Sequence, residues 1–300
     1  MNSKRDFLTI KDFTASEIAV LLDRAADFKS GRAAGKQPLR GRSIGMLFYK
    51  TSTRTRISFE VGIYQLGGQP VYIRPGESQL SRDETIADTA RVFSRYLRGI
   101  VIRTFEHKIA AEFAEYASVP VINGLTDTHH PCQILADLMT IKEKKGQLKG
   151  VKIAYIGDGN NVANSLIEGA AQMAMDLTVA APEGYEPTPD ILKDTSGRIT
   201  IVRDPKAAAA GADVLYTDVW ISMGDNEAEA AEKQSKFAAY QINDELLSYA
   251  KPDCIVLHCL PAHRGQEITD SVIEGPRSAV FDQAENRLHT QKAVLEMLIK

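Results

Sequence analysis

The chain has 300 residues, 44% hydrophobic and 25% charged, the make-up of a soluble globular protein with room for one large or two ordinary domains. Its 36 Lys and Arg stand against 39 Asp and Glu, a net charge of −3 that argues against a general binder of nucleic acid or other polyanions. No apolar run approaches the roughly 18 residues needed to cross a bilayer, and the opening MNSKRDFLTIKDF lacks the apolar stretch of a secretory signal, so no membrane partner is expected. The cysteines, Cys132, Cys254 and Cys259, are odd in number and follow no framework spacing, which points to a reducing, cytoplasmic compartment. No Cys-x-x-Cys or His-x-x-x-His pair marks a zinc site.

Short β-like runs alternate with helical patterns along the whole chain. Strands are expected at 44–49, 71–73, 99–103, 120–122, 151–156, 177–181, 199–202, 214–217, 255–259 and 279–281. Such alternation predicts an α/β protein of two doubly wound domains, each with a parallel sheet flanked by helices, joined by an interdomain helix. That helix is read at 131–145: Pro131 opens it, Ile134, Leu135, Leu138, Met139 and Ile141 form its apolar face, and lysines followed by Gly146 close it. The expected domains are 1–149 and 150–287, with a last helix at 288–300 packing back on the first.

The stretch FYKTSTRTRISFE follows the first strand and precedes a helix whose apolar face is read at Ile57, Val61 and Tyr64, with Phe59, Ile63 and Leu66 beside it. Ser52-Thr53-Arg54-Thr55 therefore lies in the loop and first helical turn. The N–H groups there lack internal partners and carry partial positive charge, so hydroxyls and a guanidinium can grip a phosphate from several sides. A Ser/Thr cap beside solvated arginines explains the same residues. Farther on, Ser81 and Glu84 match a capping box, leaving Gln79 ahead of that helix free to serve a neighbouring site. Arg103 ends a strand, at the edge where ligands sit in open parallel sheets. His130 and Gln133 flank Pro131 at the next helix start, as a carbonyl donor and an amide partner or as plain caps.

In the second half, IGDGNNVAN has the strand, glycine turn and helix of a dinucleotide site, with Gly157 and Gly159 in place but Val162 at the third position. Asn161 offers an amide at the same edge. Asp218 ends another strand and suits an ammonium group, or caps the next helix. Ser222-Met223-Gly224 leads into an acidic, alanine-rich segment, 225–236, expected to be mobile and to act as a lid. His258-Cys259-Leu260-Pro261 ends a strand with a thiol that is either an ordinary buried residue or a proton-handling one. Arg287 is read at the start of the last helix as a further anion contact.

Together these stretches, STRT at 52–55, HPCQ at 130–133, DVWISMG at 218–224 and HCLP at 258–261, resemble in order and spacing the aspartate/ornithine carbamoyltransferase family over essentially the whole chain. The last two resemble its ornithine branch. The resemblance implies a carbamoyl-phosphate domain followed by an amino-acid domain, in a homotrimer with shared active sites. It implies that Ser52, Thr53, Arg54 and Thr55 hold phosphate, and that Arg103, His130, Gln133, Arg287, Cys259 and Leu260 contact carbamoyl phosphate, with Gln79 reaching in from an adjacent subunit. Asn161, Asp218, Ser222 and Met223 would hold L-ornithine. Cys259, Arg103, His130 and Asp218 would carry the chemistry, without metal or redox cofactor. Three rivals stand beside this reading: a sibling enzyme using acetylornithine, putrescine or aspartate, a nicotinamide-dependent oxidoreductase resting on Gly157 and Gly159, and a non-catalytic paralogue that only binds carbamoyl phosphate.

Overall fold

Two sheets, both wholly parallel, organise the computed structural model, which describes residues 4–74, 76, 84–193, 195, 198–221 and 227–300. In chain order the first part contains α1 (Ala15–Lys29), β1 (Ser43–Phe48), α2 (Thr53–Gln65), β2 (Gln69–Ile73), α3 (Ile86–Tyr96), β3 (Gly99–Arg103), α4 (His107–Tyr116), β4 (Val121–Leu125) and α5 (Pro131–Lys145). There follow β5 (Lys152–Ile156), α6 (Asn161–Gln172), β6 (Asp176–Ala180), α7 (Pro189–Leu192), β7 (Ile199–Val202), α8 (Pro205–Ala209), β8 (Val214–Thr217), α9 (Glu227–Phe237), α10 (Asp244–Tyr249), β9 (Ile255–His258), α11 (Asp270–Ile273) and α12 (Val280–Leu298). The chain divides into two compact units, residues 1–139 with 285–300, and residues 140–284, so the divisions fall inside α5 and inside α12.

The first unit holds the sheet ordered β2-β1-β3-β4. Every residue of β3 is buried, as a strand covered on both faces requires, and Leu47, Ile100, Ile102, Phe113 and Val121 build the core beneath it. Gly99 lets α12 close on the sheet: a Cβ there would stand 2.7 Å from Ile299 Cδ1. The second unit holds the sheet ordered β7-β6-β5-β8-β9. Its order reverses at β5, which has β6 on one side and β8 on the other, the switch point where an open α/β sheet presents its ligand edge.

The sequence-predicted strands match β1 to β9 within a few residues, except that 279–281 is not a strand and turns helical from Val280. Those residues open α12, which was expected only from 288. The helix was hidden because its middle buries polar groups: Gln283, Asn286, Arg287 and Thr290 are all 4% exposed or less, which breaks the apolar periodicity a surface helix shows. Arg287 accordingly sits two turns inside α12 and not at its start. Helix α2 turns its other face inward. Thr55, Phe59, Gly62 and Ile63 are buried, while Ile57, Val61 and Tyr64 are 53%, 37% and 76% exposed. Periodicity marks a stripe but does not say which stripe meets the sheet. The cap of α3 is Thr85, whose side chain accepts from Asp88 N, in place of the expected Ser81 box, and Ser81 lies outside the described residues. The expected lid at 225–236 is helical from Glu227.

Candidate active site

In the first unit the carboxyl ends of β1 and β3 bring together residues far apart in sequence. Ser52 caps α2, its hydroxyl accepting from Thr55 N at 3.2 Å, which leaves the Ser52 O–H proton to donate elsewhere. Thr55, 1% exposed, accepts from Arg287 Nη2 at 2.9 Å and from Arg103 Nη1 at 3.5 Å. Arg287 Nη1 also donates to Gln133 Oε1 at 2.6 Å, and Gln133 Nε2 donates to Asp137 Oδ1 at 2.8 Å. Thr53 and Arg54 occupy the first turn of α2, and Arg54 makes no hydrogen bond or ion pair among the described residues.

These contacts concentrate positive charge out of water. Arg103 and Arg287 are 6% and 4% exposed, and His130 is 5% exposed beside them. Burial first, then the guanidiniums of Arg287 and Arg103, push the His130 pKa well below the ordinary histidine value, so the imidazole is neutral near pH 7 and able to donate to a carbonyl oxygen. Guanidiniums, hydroxyls and helix-start N–H groups around one spot make a cradle for a phosphate-sized anion. Cys132 stays out of the chemistry: its thiol donates to Asn123 O at 3.3 Å and burial pushes its pKa up to about 12. Arg56 is structural, paired with Glu60 at 3.2 Å and stacked on Tyr72 at 3.9 Å.

In the second unit a carboxylate and a thiol meet at the ends of β8 and β9. Cys259 Sγ donates to Asp218 Oδ1 at 2.7 Å, and Asn160 Nδ2 donates to Asp218 Oδ2 at 2.9 Å. Asn160 is the N-cap of α6, its Oδ1 accepting from Val162 N and Ala163 N, so the cap holds the amide that aims Asp218. The amide that reaches Asp218 is thus that of Asn160, one residue before the Asn161 expected at this edge, and an Asn directly before a helix is a recognisable cap. Behind Cys259, His258 and Glu267 are both fully buried. Leu260 N donates to His258 Nδ1 at 2.8 Å, so the ring proton sits on Nε2 and points at Glu267 Oε1, 3.0 Å away. This ties down Leu260, which adopts φ +57. That left-handed conformation costs a branched residue about 1–2 kcal/mol. Nothing local in the sequence marked Glu267. Asp218, His258 and Cys259 each place a ligand atom within 4.8 Å of the others, a spacing a metal ion can use, but both His258 nitrogens are already engaged. Gln79, Ser222 and Met223 lie outside the described residues.

The glycine turn of β5–α6 does not keep space for a pyrophosphate. Gly159 N donates to Tyr185 O at 2.8 Å, and a Cβ on Gly159 would stand 2.2 Å from Pro187 N. The chain's own loop takes up the close approach that a dinucleotide needs, which counts against the nicotinamide reading.

Two family models match, described as the carbamoyl-P binding domain of aspartate/ornithine carbamoyltransferase over residues 5–143 and its Asp/Orn binding domain over residues 149–298. An ornithine carbamoyltransferase from Syntrophus aciditrophicus is 55% identical over 302 residues, covering 99% of this chain and 100% of that protein. The solved structure of ornithine carbamoyltransferase from Pyrococcus furiosus superposes with a TM-score of 0.94 at 51% identity, covering 99% of this chain and 97% of that one. That from Thermus thermophilus superposes with a TM-score of 0.92 at 43% identity, covering 99% of each chain.

Proposed function

The chain belongs to the aspartate/ornithine carbamoyltransferase family, and we propose on that premise that it transfers the carbamoyl group of carbamoyl phosphate to the δ-amine of L-ornithine, giving L-citrulline and phosphate. The observation that carries the reading is the Asp218–Cys259 pair, a carboxylate bonded to a thiol at the carboxyl ends of neighbouring strands. A carboxylate recruits an ammonium, and a thiol–carboxylate pair can take up a proton.

The δ-amine titrates near ~10.4, so at pH 7 only about one molecule in a few thousand carries the neutral nucleophile. Asp218, aimed by Asn160, draws the amine in. The amine nitrogen attacks the carbonyl carbon, a C–N bond forms, and the C–O bond to phosphate breaks. The ammonium gives one proton to solvent as the neutral amine is selected, and the second, lost by nitrogen on attack, passes to the Asp218–Cys259 pair and on to the leaving phosphate. Negative charge developing on the carbonyl oxygen is met by Arg103, neutral His130 and Thr55, an oxyanion-type stabilisation. The leaving phosphate is held by Ser52, Thr53, Arg54, Thr55 and Arg287, with Gln133 orienting Arg287. Leu260 and Cys259 contact the carbamoyl group, and Asn161, Ser222 and Met223 complete the ornithine side. The carbamoyl-phosphate domain is assigned to 1–149 with 288–300, and the ornithine domain to 150–287.

The full-length relatives and the DVWISMG and HCLP stretches favour ornithine over acetylornithine, putrescine or aspartate. Incubation with carbamoyl phosphate and each amine in turn, followed by product chromatography, decides it. Absence of citrulline from ornithine would overturn the assignment. A homotrimer with shared sites is supported by the family resemblance and by the outer face of α2, where Ile57, Val61 and Tyr64 stand in the open directly after the phosphate cradle. Sedimentation velocity tests it. Three free cysteines, and no described helix long and apolar enough to cross a membrane, accord with a cytoplasmic enzyme.

A further inference from the structure

Helix α9 is held to the second unit by few side chains among its described residues. Its sequence, EAEAAEKQSKF, is polar, and among its described side chains only Phe237 is buried. Phe237 enters an aromatic cluster, 5.0 Å from Tyr185, 5.8 Å from Trp220 and 5.9 Å from Tyr240. One helical turn earlier, on the same face, Lys233 Nζ lies 3.0 Å from Asp158 Oδ2, with both side chains mostly buried at 14% and 13% exposure. Lys233 also stands over the Tyr185 ring at 5.9 Å. Asp158 belongs to the turn that carries the acceptor-side amide. Asn160 N donates to Asp158 O at 2.8 Å, and Gly159 N donates to Tyr185 O. Asn160 Nδ2 then holds Asp218.

We infer that Lys233 is a positioning residue for the acceptor half-site: its ion pair with Asp158 clamps α9 onto the β5–α6 turn and so fixes the Asn160 amide that aims Asp218. The inference rests on the proposed acceptor role of Asp218. Removing the cation from an ion pair as covered as this one favours movement of the Asp158 carboxylate toward water. The turn moves with it, and Asn160 loses its aim. Nothing in this chain of contacts touches the phosphate cradle, so the effect is confined to one substrate.

Four variants test this: Lys233→Met, which keeps the stem and removes the charge, Asp158→Asn, the two combined, and Lys233→Arg as the conservative replacement. The KM for ornithine is expected to rise about tenfold in each of the first two. The KM for carbamoyl phosphate is expected to stay within about twofold, since that cradle is untouched. The double variant is expected to be no worse than either single one, because both remove the same interaction, and Lys233→Arg to recover most of the loss. Trp220, the sole tryptophan, packs on Phe237, so its fluorescence becomes more open to acrylamide quenching in Lys233→Met and stays as in the wild type in Lys233→Arg. An unchanged ornithine KM, additive losses in the double variant, or unaltered quenching would overturn the inference. If the wild-type protein makes no citrulline from ornithine, the functional assignment fails by itself, and the quenching comparison still judges the clamp.

Discussion

The two half-sites solve opposite electrostatic problems with different materials. The one in residues 1–139 and 285–300 gathers guanidiniums around a threonine and keeps its imidazole neutral by burial. In the proposed reaction it manages charge alone, and no proton has to move within it. The one in residues 140–284 sets a carboxylate against a thiol and aims the pair with an amide, so its proposed task is to place and accept a proton. The first is assembled from long-range side-chain contacts, Thr55 to Arg287 spanning 232 positions. The second is built from short stretches at strand ends. In the anion cradle several donors share one charge, whereas in the thiol–carboxylate pair Asp218 carries the charge alone and Cys259 assists it.

The comparison can be broken by removing parts from each side. Asp218→Asn is expected to have the largest effect, lowering kcat/KM for ornithine by about a thousandfold or more while carbamoyl-phosphate binding persists, measurable by steady-state kinetics and calorimetry. Arg54→Ala is expected to weaken carbamoyl-phosphate binding about a hundredfold, since one charge-assisted donor is lost from a set. An unchanged Kd would remove Arg54 from the cradle. Cys259→Ala should lower kcat by roughly tenfold to a hundredfold and displace the pH–rate profile. A profile identical to the wild type would leave Cys259 with a purely spatial role. Arg56→Ala should cost no more than about 0.5–1 kcal/mol in urea unfolding and leave kinetics unchanged, because its pair with Glu60 is exposed.

A stability measurement sharpens the same contrast. Burial and two guanidiniums depress the folded-state pKa of His130, so between that value and ~6.5 the unfolded chain binds a proton that the folded chain refuses. The stability tied to a neutral His130 is therefore present above ~6.5 and declines as pH falls through it. His130→Gln should flatten the fall in urea midpoint between about pH 7.5 and 5.5. An unaltered slope would mean that other groups govern it.

Much of the fold was legible because it follows from backbone rules. Helix α5 begins and ends where Pro131, the apolar face and Gly146 place it, and β3, β7 and β8 coincide with their apolar runs. Legibility stopped where burial and polarity parted company. The start of α12 was lost because its buried face is polar, and the inward face of α2 was misjudged because Thr55 and Gly62 pack inside while Tyr64 faces out. At the candidate sites, motif residues at strand ends could be found by position, but Asn160, Glu267 and the Gln133–Asp137 support act through side-chain contacts that no local pattern encodes. Gly159 had a signal that pointed the wrong way, since the close approach it permits is to the chain's own Pro187.

The interrupted make-up of the first unit also orders events during synthesis. Residues 140–284 form a compact unit of their own and are made before residues 285–300. The first unit therefore stays open through the whole synthesis of the second, because it still lacks the helix segment that carries Arg287 and covers Gly99 with Ile299. A nascent chain halted at residue 284 would hold Thr55 without its arginine, so the proposed phosphate cradle is complete only once Arg287 has been added.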